Sequence, residues 1–288
     1  MAIGDRSDGV RLRKLPGFHK MFPYLMPSRT ESVIYSSQRL KIGNALRWLE
    51  KINAGRAKKI SLFYVVLAAG VRALALRPHA NRFISGRHIY QRRTIDLAFI
   101  VKRALDEQAS ETTLKLTFDP RSTIFDVIEA VSSAVQVTKQ SSTSSDEKLT
   151  EVLTSVPGPI TRFVVWAIRT LDYFGLLPAS FIKGDAFHSS AFLANLGSIG
   201  LDAVFHHMYE WGNTPFFVVV GKRKKEPVVN DRGEIEVADV VDMTFSVDER
   251  IADGVYYASA ISLFADLIEN PEKLEVPPEN LPDPFALA

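Results

Sequence analysis

The apolar positions of the chain fall into two rhythms, and where one gives way to the other marks its elements. Phe216 to Val220 is a continuous apolar run, long enough for a buried strand and too short for a helix. Asn230, Asp231 and Gly233 mark a reversal, and the β-branched stretch Glu234 to Val247 predicts one long strand. After Gly254 the period changes: Val255, Ala258, Ile261, Ser262, Ala265 and Ile268 fall at helical spacing, and Asn270-Pro271 stops the helix.

The same reading carries through the earlier part of the chain. Glu31 to Ile42 predicts a strand, and Asn44 is placed to cap a helix carrying Ala45, Leu46, Trp48, Leu49 and Ile52 on one face, ended by Gly55. Leu62 to Arg77, capped by Ser61 and stopped by Pro78, is apolar almost all round and should be buried. Ser85-Gly86 turns a hairpin, Ile95 to Ala104 and the alternating Thr112 to Asp119 predict strands, and Ile124 to Val137 predicts an amphipathic helix. The run Leu15 to Pro27 is apolar but proline-broken; it should not form one helix and should lie across a surface, its own or a neighbour's. Ser141 to Ser145 reads as a link. Ile160 to Phe174 then predicts a helix that packs on protein rather than lipid, because Arg162 and Arg169 make only a sparse basic face.

Composition narrows the function classes. The 288 residues, 46% hydrophobic, can bury a large core, and a formal charge of +2 is too small to point to nucleic acid. The lack of cysteine excludes disulfides, thiolate-bound zinc and a cysteine nucleophile. The first residues have no apolar signal core, and no apolar run approaches the roughly 20 residues of a membrane span, so a cytoplasmic protein is expected. There is no metal-ligand spacing and no phosphate-binding glycine pattern. Lys222 to Lys225 reads as a solvated hairpin turn or, alternatively, as a contact for phosphates or for a partner protein.

The segment Asp248-Glu249-Arg250-Ile251-Ala252-Asp253-Gly254, between the last strand and the last helix, resembles the D-H-R-x-x-D-G motif of the acyltransferase core of 2-oxoacid dehydrogenase complexes, shared in shorter form by chloramphenicol acetyltransferases. Asp248, Arg250, Asp253 and Gly254 match in spacing, while Glu249 stands where that family has histidine. Asn195-Leu196-Gly197 resembles the end of the family strand F-T-I-S-N-L-G, with Ala194 at its serine. The resemblance covers about residues 15–140 and 186–275. It implies an α+β fold, a chloramphenicol acetyltransferase-like two-layer sandwich with a mixed sheet. In domain terms, a flexible arm at 1–14 and a flexible tail at 276–288 flank one domain at 15–275, with a helical insertion at about 141–185. It also implies a homotrimer with sites between subunits, and coenzyme A or an acyl-coenzyme A as substrate together with a small-molecule acceptor. No segment resembles a lipoyl domain.

Acyl transfer needs a base for the acceptor's proton and a donor aimed at the tetrahedral oxyanion. The resemblance places the base at Glu249, a weak base when exposed to water, and leaves Ala194 with no donor. The candidate catalytic set is therefore Glu249, Asp253, His207 and His188, with a histidine able to take over as base. Asn195, Gly197, Ser198, His206 and Thr214 are the candidates for substrate binding, Ser198 or Thr214 replacing the missing donor. Asp253 is expected to hold the loop by pairing with Lys20 or Arg29. Glu249 is expected to pair with a cation (Arg250, Lys20 or Arg29) or with His188 or His207. Two functions follow: coenzyme A-dependent acyl transfer through a rebuilt site, or an inactive family member serving as a scaffold or binding subunit.

Overall fold

The protein is described by a computed structural model that covers residues 4–102, 111–140, 155–230 and 232–288. The serine-rich link at 141–145, Asp231 of the reversal and the end of the strand expected to reach Ala104 lie outside those residues.

A six-stranded mixed sheet forms the centre. Its strands are β2 (Val33–Lys41), β5 (Ile95–Lys102), β6 (Glu111–Phe118), β7 (Ala191–Asn195), β8 (Phe216–Val229) and β9 (Ile235–Asp248), in the order β2-β9-β8-β7-β5-β6. The two central pairings, β5 with β7 and β7 with β8, are parallel, and the outer ones are antiparallel. A small antiparallel sheet, β1 (Gly9–Arg11), β3 (Arg82–Ser85) and β4 (His88–Arg92), sits apart in the order β1-β4-β3. The β3–β4 turn places Gly86 and Arg87 both at positive φ, the requirement of a two-residue hairpin. A Cβ on Gly86 would lie 2.3 Å from the Tyr173 carbonyl oxygen, so the turn also needs glycine for close packing.

Helices cover one face of the large sheet. The helix α3 (Leu62–Leu76), apolar all round, is buried from Val65 to Ala75 and packs against α4 (Ile124–Gln140), β5 and α7 (Gly254–Glu269). With α2 (Gly43–Ile52) they enclose the main core, where Leu67, Leu97, Met243 and Ile268 are fully buried. The opposite face carries a smaller aromatic cluster around Phe192 and Phe217, whose rings stack 4.7 Å apart. No helix among the described residues is long and apolar enough to cross a membrane.

Several expectations are corrected. Gly17–Leu25 forms one helix, α1, with Pro23 inside it; Pro16 precedes the first turn and Pro27 follows the last, so those two prolines bracket the helix. Asn44 is not a cap: the helix starts a residue earlier, and the Asn44 amide donates to the Glu269 carbonyl at 3.1 Å. The N-terminal arm is packed over residues 4–14, since β1 pairs with β4 and Arg6 is 2% exposed. The tail is tied back as well: Leu281 packs on the main core, and the Lys14 amide donates to the Leu287 carbonyl at 3.2 Å. The short strand expected at 216–220 continues to Val229, so Lys222 to Lys225 lie within a ribbon rather than at its turn. There Arg223 pairs with Asp239 at 2.7 Å and Lys224 with Asp242 at 2.9 Å.

The segment after residue 154 holds α5 (Gly158–Tyr173) and α6 (Ala179–Gly184). None of the residues of α5 is buried by this chain, and Phe163 and Trp166 are 64% and 61% exposed.

Candidate functional site

The turn that follows β9 is built around a buried ion pair. Arg250 donates from Nε to Asp248 Oδ1 at 2.8 Å and from Nη2 to Oδ2 at 2.6 Å, a bidentate geometry. Ser32 Oγ adds a bond to Asp248 Oδ1 at 3.1 Å, Tyr257 donates its hydroxyl to the Asp248 carbonyl, and Arg250 Nη1 reaches the Met26 carbonyl at 2.9 Å. Burial and the neighbouring Asp248 and Glu249 carboxylates push the Tyr257 hydroxyl well above its ordinary value, so it stays a donor.

Between these locked residues, Glu249 is free. Its backbone N–H donates to the Ser32 carbonyl at 3.0 Å, but its half-buried carboxylate has no hydrogen bond or ion pair among the described residues. The expected pairings do not form. Arg250 is taken by Asp248, and Arg29 spends its guanidinium on the carbonyls of Tyr209 (3.1 Å), Trp211 (3.2 Å) and Gly212. Asp253 likewise takes no cation among the described residues. It caps α7, accepting the Tyr256 N–H at 2.9 Å, because the chain must enter the helix there and its first N–H groups need an acceptor.

The second half of the site lies at the end of β7. Asn195 Oδ1 accepts the Ser198 N–H at 3.3 Å and closes a short 3-10 turn over Leu196–Ile199, while Ser198 Oγ, exposed, donates to the Asn195 carbonyl at 2.7 Å. Gly197 is needed for packing: a Cβ there would lie 2.4 Å from the Gly221 carbonyl oxygen. A groove of about 500 Å³ opens beside this turn, walled by Tyr64, Phe99, Val131 and Ile199.

Sheet register keeps the two halves apart. Val247 lies opposite Phe216, and Asn195 opposite Val220, four residues further along β8. At ~3.3 Å per residue that is about 13 Å along the strand, with Glu249 further beyond one end and Ser198 beyond the other. One chain cannot bring them together.

The histidines divide by environment. His206 lies flat on Phe217 with ring centroids 3.9 Å apart, its Nδ1 is 2.8 Å from the His207 carbonyl, and burial lowers its pKa, which favours the neutral ring. His207 is exposed beside it, 4.8 Å from the Tyr209 ring. Thr214 is buried and spends its hydroxyl on the Phe187 carbonyl at 2.7 Å, which removes it as a candidate donor.

His188 is 1% exposed, with Nδ1 2.6 Å from Asp185 and Nε2 3.2 Å from Asp172. Burial opposes its charge, but the bonds and charges of the two carboxylates outweigh burial and raise its pKa. Asp172 feels the same opposition from burial, and the bond to His188 together with Arg6 holds it down at about 2. A cation gripped at both ring nitrogens is not available as a base. The network extends through Arg6, which bonds Asp172 at 2.7 Å and Asp8 at 2.8 Å. Its members come from the segment between α6 and β7, from α5 and from the N-terminal arm, and no spacing in the sequence announces it. Among the described residues, no three His, Asp or Glu side chains are grouped to hold a metal ion.

Comparison with known proteins agrees with this architecture. The family described as 2-oxoacid dehydrogenases acyltransferase (catalytic domain) matches residues 184–276. Among solved structures, a probable dihydrolipoamide acetyltransferase from Listeria monocytogenes superposes with a TM-score of 0.60 at 15% identity, over 93% of this chain and 96% of its own. The dihydrolipoamide acetyltransferase of Azotobacter vinelandii gives 0.57 at 14% identity, over 84% and 83%. Chloramphenicol acetyltransferase gives 0.55 at 13%, over 91% and 98%. The chain has the acyltransferase core fold. The chloramphenicol acetyltransferase-like α+β sandwich and the resemblance to the 2-oxoacid dehydrogenase acyltransferases therefore both stand. No curated protein matches the chain in sequence. The Azotobacter enzyme was studied for a serine, a histidine and an asparagine in its catalytic mechanism.

Proposed function

We propose that the protein is a cytoplasmic, homotrimeric acyltransferase that moves an acyl group between coenzyme A and a small-molecule acceptor. Its site would be shared between subunits, with Glu249 from one and the Asn195–Ser198 turn from the next. The observation that carries this reading is the Glu249 carboxylate, without a partner among the described residues and held between the paired Asp248 and Arg250, at the opposite end of the sheet from its complementary groove. A second copy both completes the site and covers Glu249. Removing water strengthens a carboxylate as a base.

In this mechanism the acceptor's proton passes to Glu249 as its nucleophilic atom attacks the thioester carbonyl. The carbonyl electrons move onto oxygen, where the Ser198 hydroxyl, exposed and so able to rotate away from the Asn195 carbonyl, donates a hydrogen bond. The tetrahedral adduct collapses, the carbon–sulfur bond breaks, and the proton on Glu249 returns to the coenzyme A sulfur. His207, on the strap over the sheet, lines the approach.

Mixing two variants tests the shared site. Glu249→Gln and Ser198→Ala should each lose acetyl-coenzyme A-dependent transfer to a dithiol acceptor, and subunit exchange between them should restore part of it. Two variants that stay inactive after verified exchange, beside an active wild type, would sink the shared site. A second reading, an inactive scaffold, draws on Ala194, which has no donor, and on Glu249 having no histidine bonded to it. It requires a wild type with no turnover on any acyl-coenzyme A.

A further inference from the structure

A second cavity, of about 190 Å³, opens between α1, the β3–β4 turn, α5 and the loop at 209–212. Glu249, Asn195 and Ser198 do not line it, so it is separate from the transfer site proposed above. Its charges do not balance. Of the ionic groups that line it, Arg250 is paired with Asp248 and His188 with Asp185, while Asp172 is paired with Arg6. That leaves the guanidiniums of Arg29, Arg87 and Arg169 against one carboxylate, Glu210, a surplus of two positive charges. Glu210 is itself engaged, accepting from the Thr30 N–H at 2.9 Å and the Thr30 hydroxyl at 3.0 Å.

None of the three guanidiniums has a carboxylate within ion-pair distance among the described residues. Arg29 bonds three carbonyls through Nη1 and Nη2, which leaves its Nε–H and one Nη2–H for a ligand; Arg87 donates to the Pro23 carbonyl at 2.9 Å, and Arg169 makes no bond among the described residues. Arg29 is the informative one. It is 9% exposed, burial pulls its pKa down to about 10, and it remains a cation at neutral pH. A buried charge without a counter-ion is expensive to keep. The remaining wall is apolar, with Pro23, Ile84, Ile168 and Leu177 beside the Trp211 ring. Guanidinium forks at one end and an apolar wall at the other suit an oxyanion head on a short apolar body.

We propose that this cavity binds a phosphate monoester, its head held by Arg29, Arg87 and Arg169 and its organic group against Trp211. The head group could come from a free ester or from an anionic lipid. Both would meet the same three guanidiniums.

Titration calorimetry with phenyl phosphate tests the site without any acyl transfer. Wild type should bind one equivalent per chain and should not bind phenol. Arg87→Gln and Arg169→Gln alter a half-buried and an exposed side chain, and unchanged thermal midpoints would verify their folds. Each should weaken binding about tenfold, the loss expected for one charged hydrogen bond. Flotation with phosphatidic acid vesicles, lost in the same variants, would assign the head group to a lipid; calorimetric binding without flotation would assign it to a free ester. Failure of phenyl phosphate to bind, affinity that ignores both substitutions, or displacement by coenzyme A would each overturn the proposal.

Discussion

His188 and Glu249 are both ionisable groups placed next to the ends of central strands, and their surroundings are opposite. His188 has a carboxylate on each ring nitrogen and 1% exposure, and those partners are held in turn, Asp172 by Arg6 and Asp185 by the Trp211 N–H. Glu249 is half-buried, and its carboxylate has no partner among the described residues, although both of its neighbours in sequence are bonded to each other. Charges satisfied within the chain hold α5 and the N-terminal arm onto the sheet. A charge left unsatisfied on a rigid turn is available to something outside the chain. Sequence reading weighed the two as alternative bases; geometry separates them.

The largest effect expected tests whether the Glu249 turn is rigid. Asp248→Asn would leave Arg250 buried with its counter-charge removed, and breaking a buried pair this way costs about 3–5 kcal/mol. Urea unfolding measures it. A loss below about 1 kcal/mol would mean that the turn is not held by this pair, and the contrast with His188 would dissolve.

Next is the rate. Glu249→Gln keeps size and removes the base, so acyl transfer should fall about 10²–10⁴-fold while unfolding stability changes little, since its carboxylate makes no bond among the described residues. His188→Gln should do the reverse, lowering stability and leaving the rate of the folded fraction close to wild type. If His188→Gln instead abolished transfer in a folded protein, the assignment of roles would be inverted.

The His188 clamp also predicts a pH dependence. Its raised pKa means that its contribution is fully present below the ordinary histidine value of ~6.5 and is lost as pH rises through the raised one. Asp172, held at about 2, contributes above the ordinary carboxylate range near ~3.9 and is lost as pH falls through about 2. Between those limits α5 is held most firmly. Hydrogen exchange of α5 amides should speed up from pH 6.5 to 9 beyond the intrinsic base catalysis, and His188→Gln should flatten that excess. An excess unchanged in the variant would show that another group controls the helix.

What the sequence made legible follows from the range of each signal. Periodicity is local, so β2, α3, β5, α4 and α7 were found within a few residues of their bounds. Asp248, Arg250, Asp253 and Gly254 could be singled out because the motif spans seven residues. Misreadings came where a distant partner decides. Nothing near Arg6 says that it meets Asp172, 166 residues on. The charged run Lys222 to Lys225 looked like a turn because its partners, Asp239 and Asp242, arrive from the next strand. Pro23 misled in the other direction: its rule is about missing donors, and a nine-residue helix that ends two residues later loses little by it.

The smallest effect separates two roles for Asp253, which lies four residues beyond Glu249 on the same turn. Resemblance made it the loop's ion-pair partner; geometry makes it the N-cap of α7, its carboxylate on the Tyr256 N–H at 2.9 Å. The two roles respond differently to the same pair of substitutions. A cap needs an acceptor oxygen and not a charge, and asparagine serves about as well as aspartate. Asp253→Ala should therefore cost about 1 kcal/mol, while Asp253→Asn should retain most of that, losing only the favourable charge at the helix N-terminus, ~0.3–1 kcal/mol and screened by salt. An ion pair would treat both substitutions alike. If Asp253→Asn proved as destabilising as Asp253→Ala in 0.5 M salt, a cation from a second copy of the chain would have to lie on Asp253, and this part of the turn would join the interface that covers Glu249.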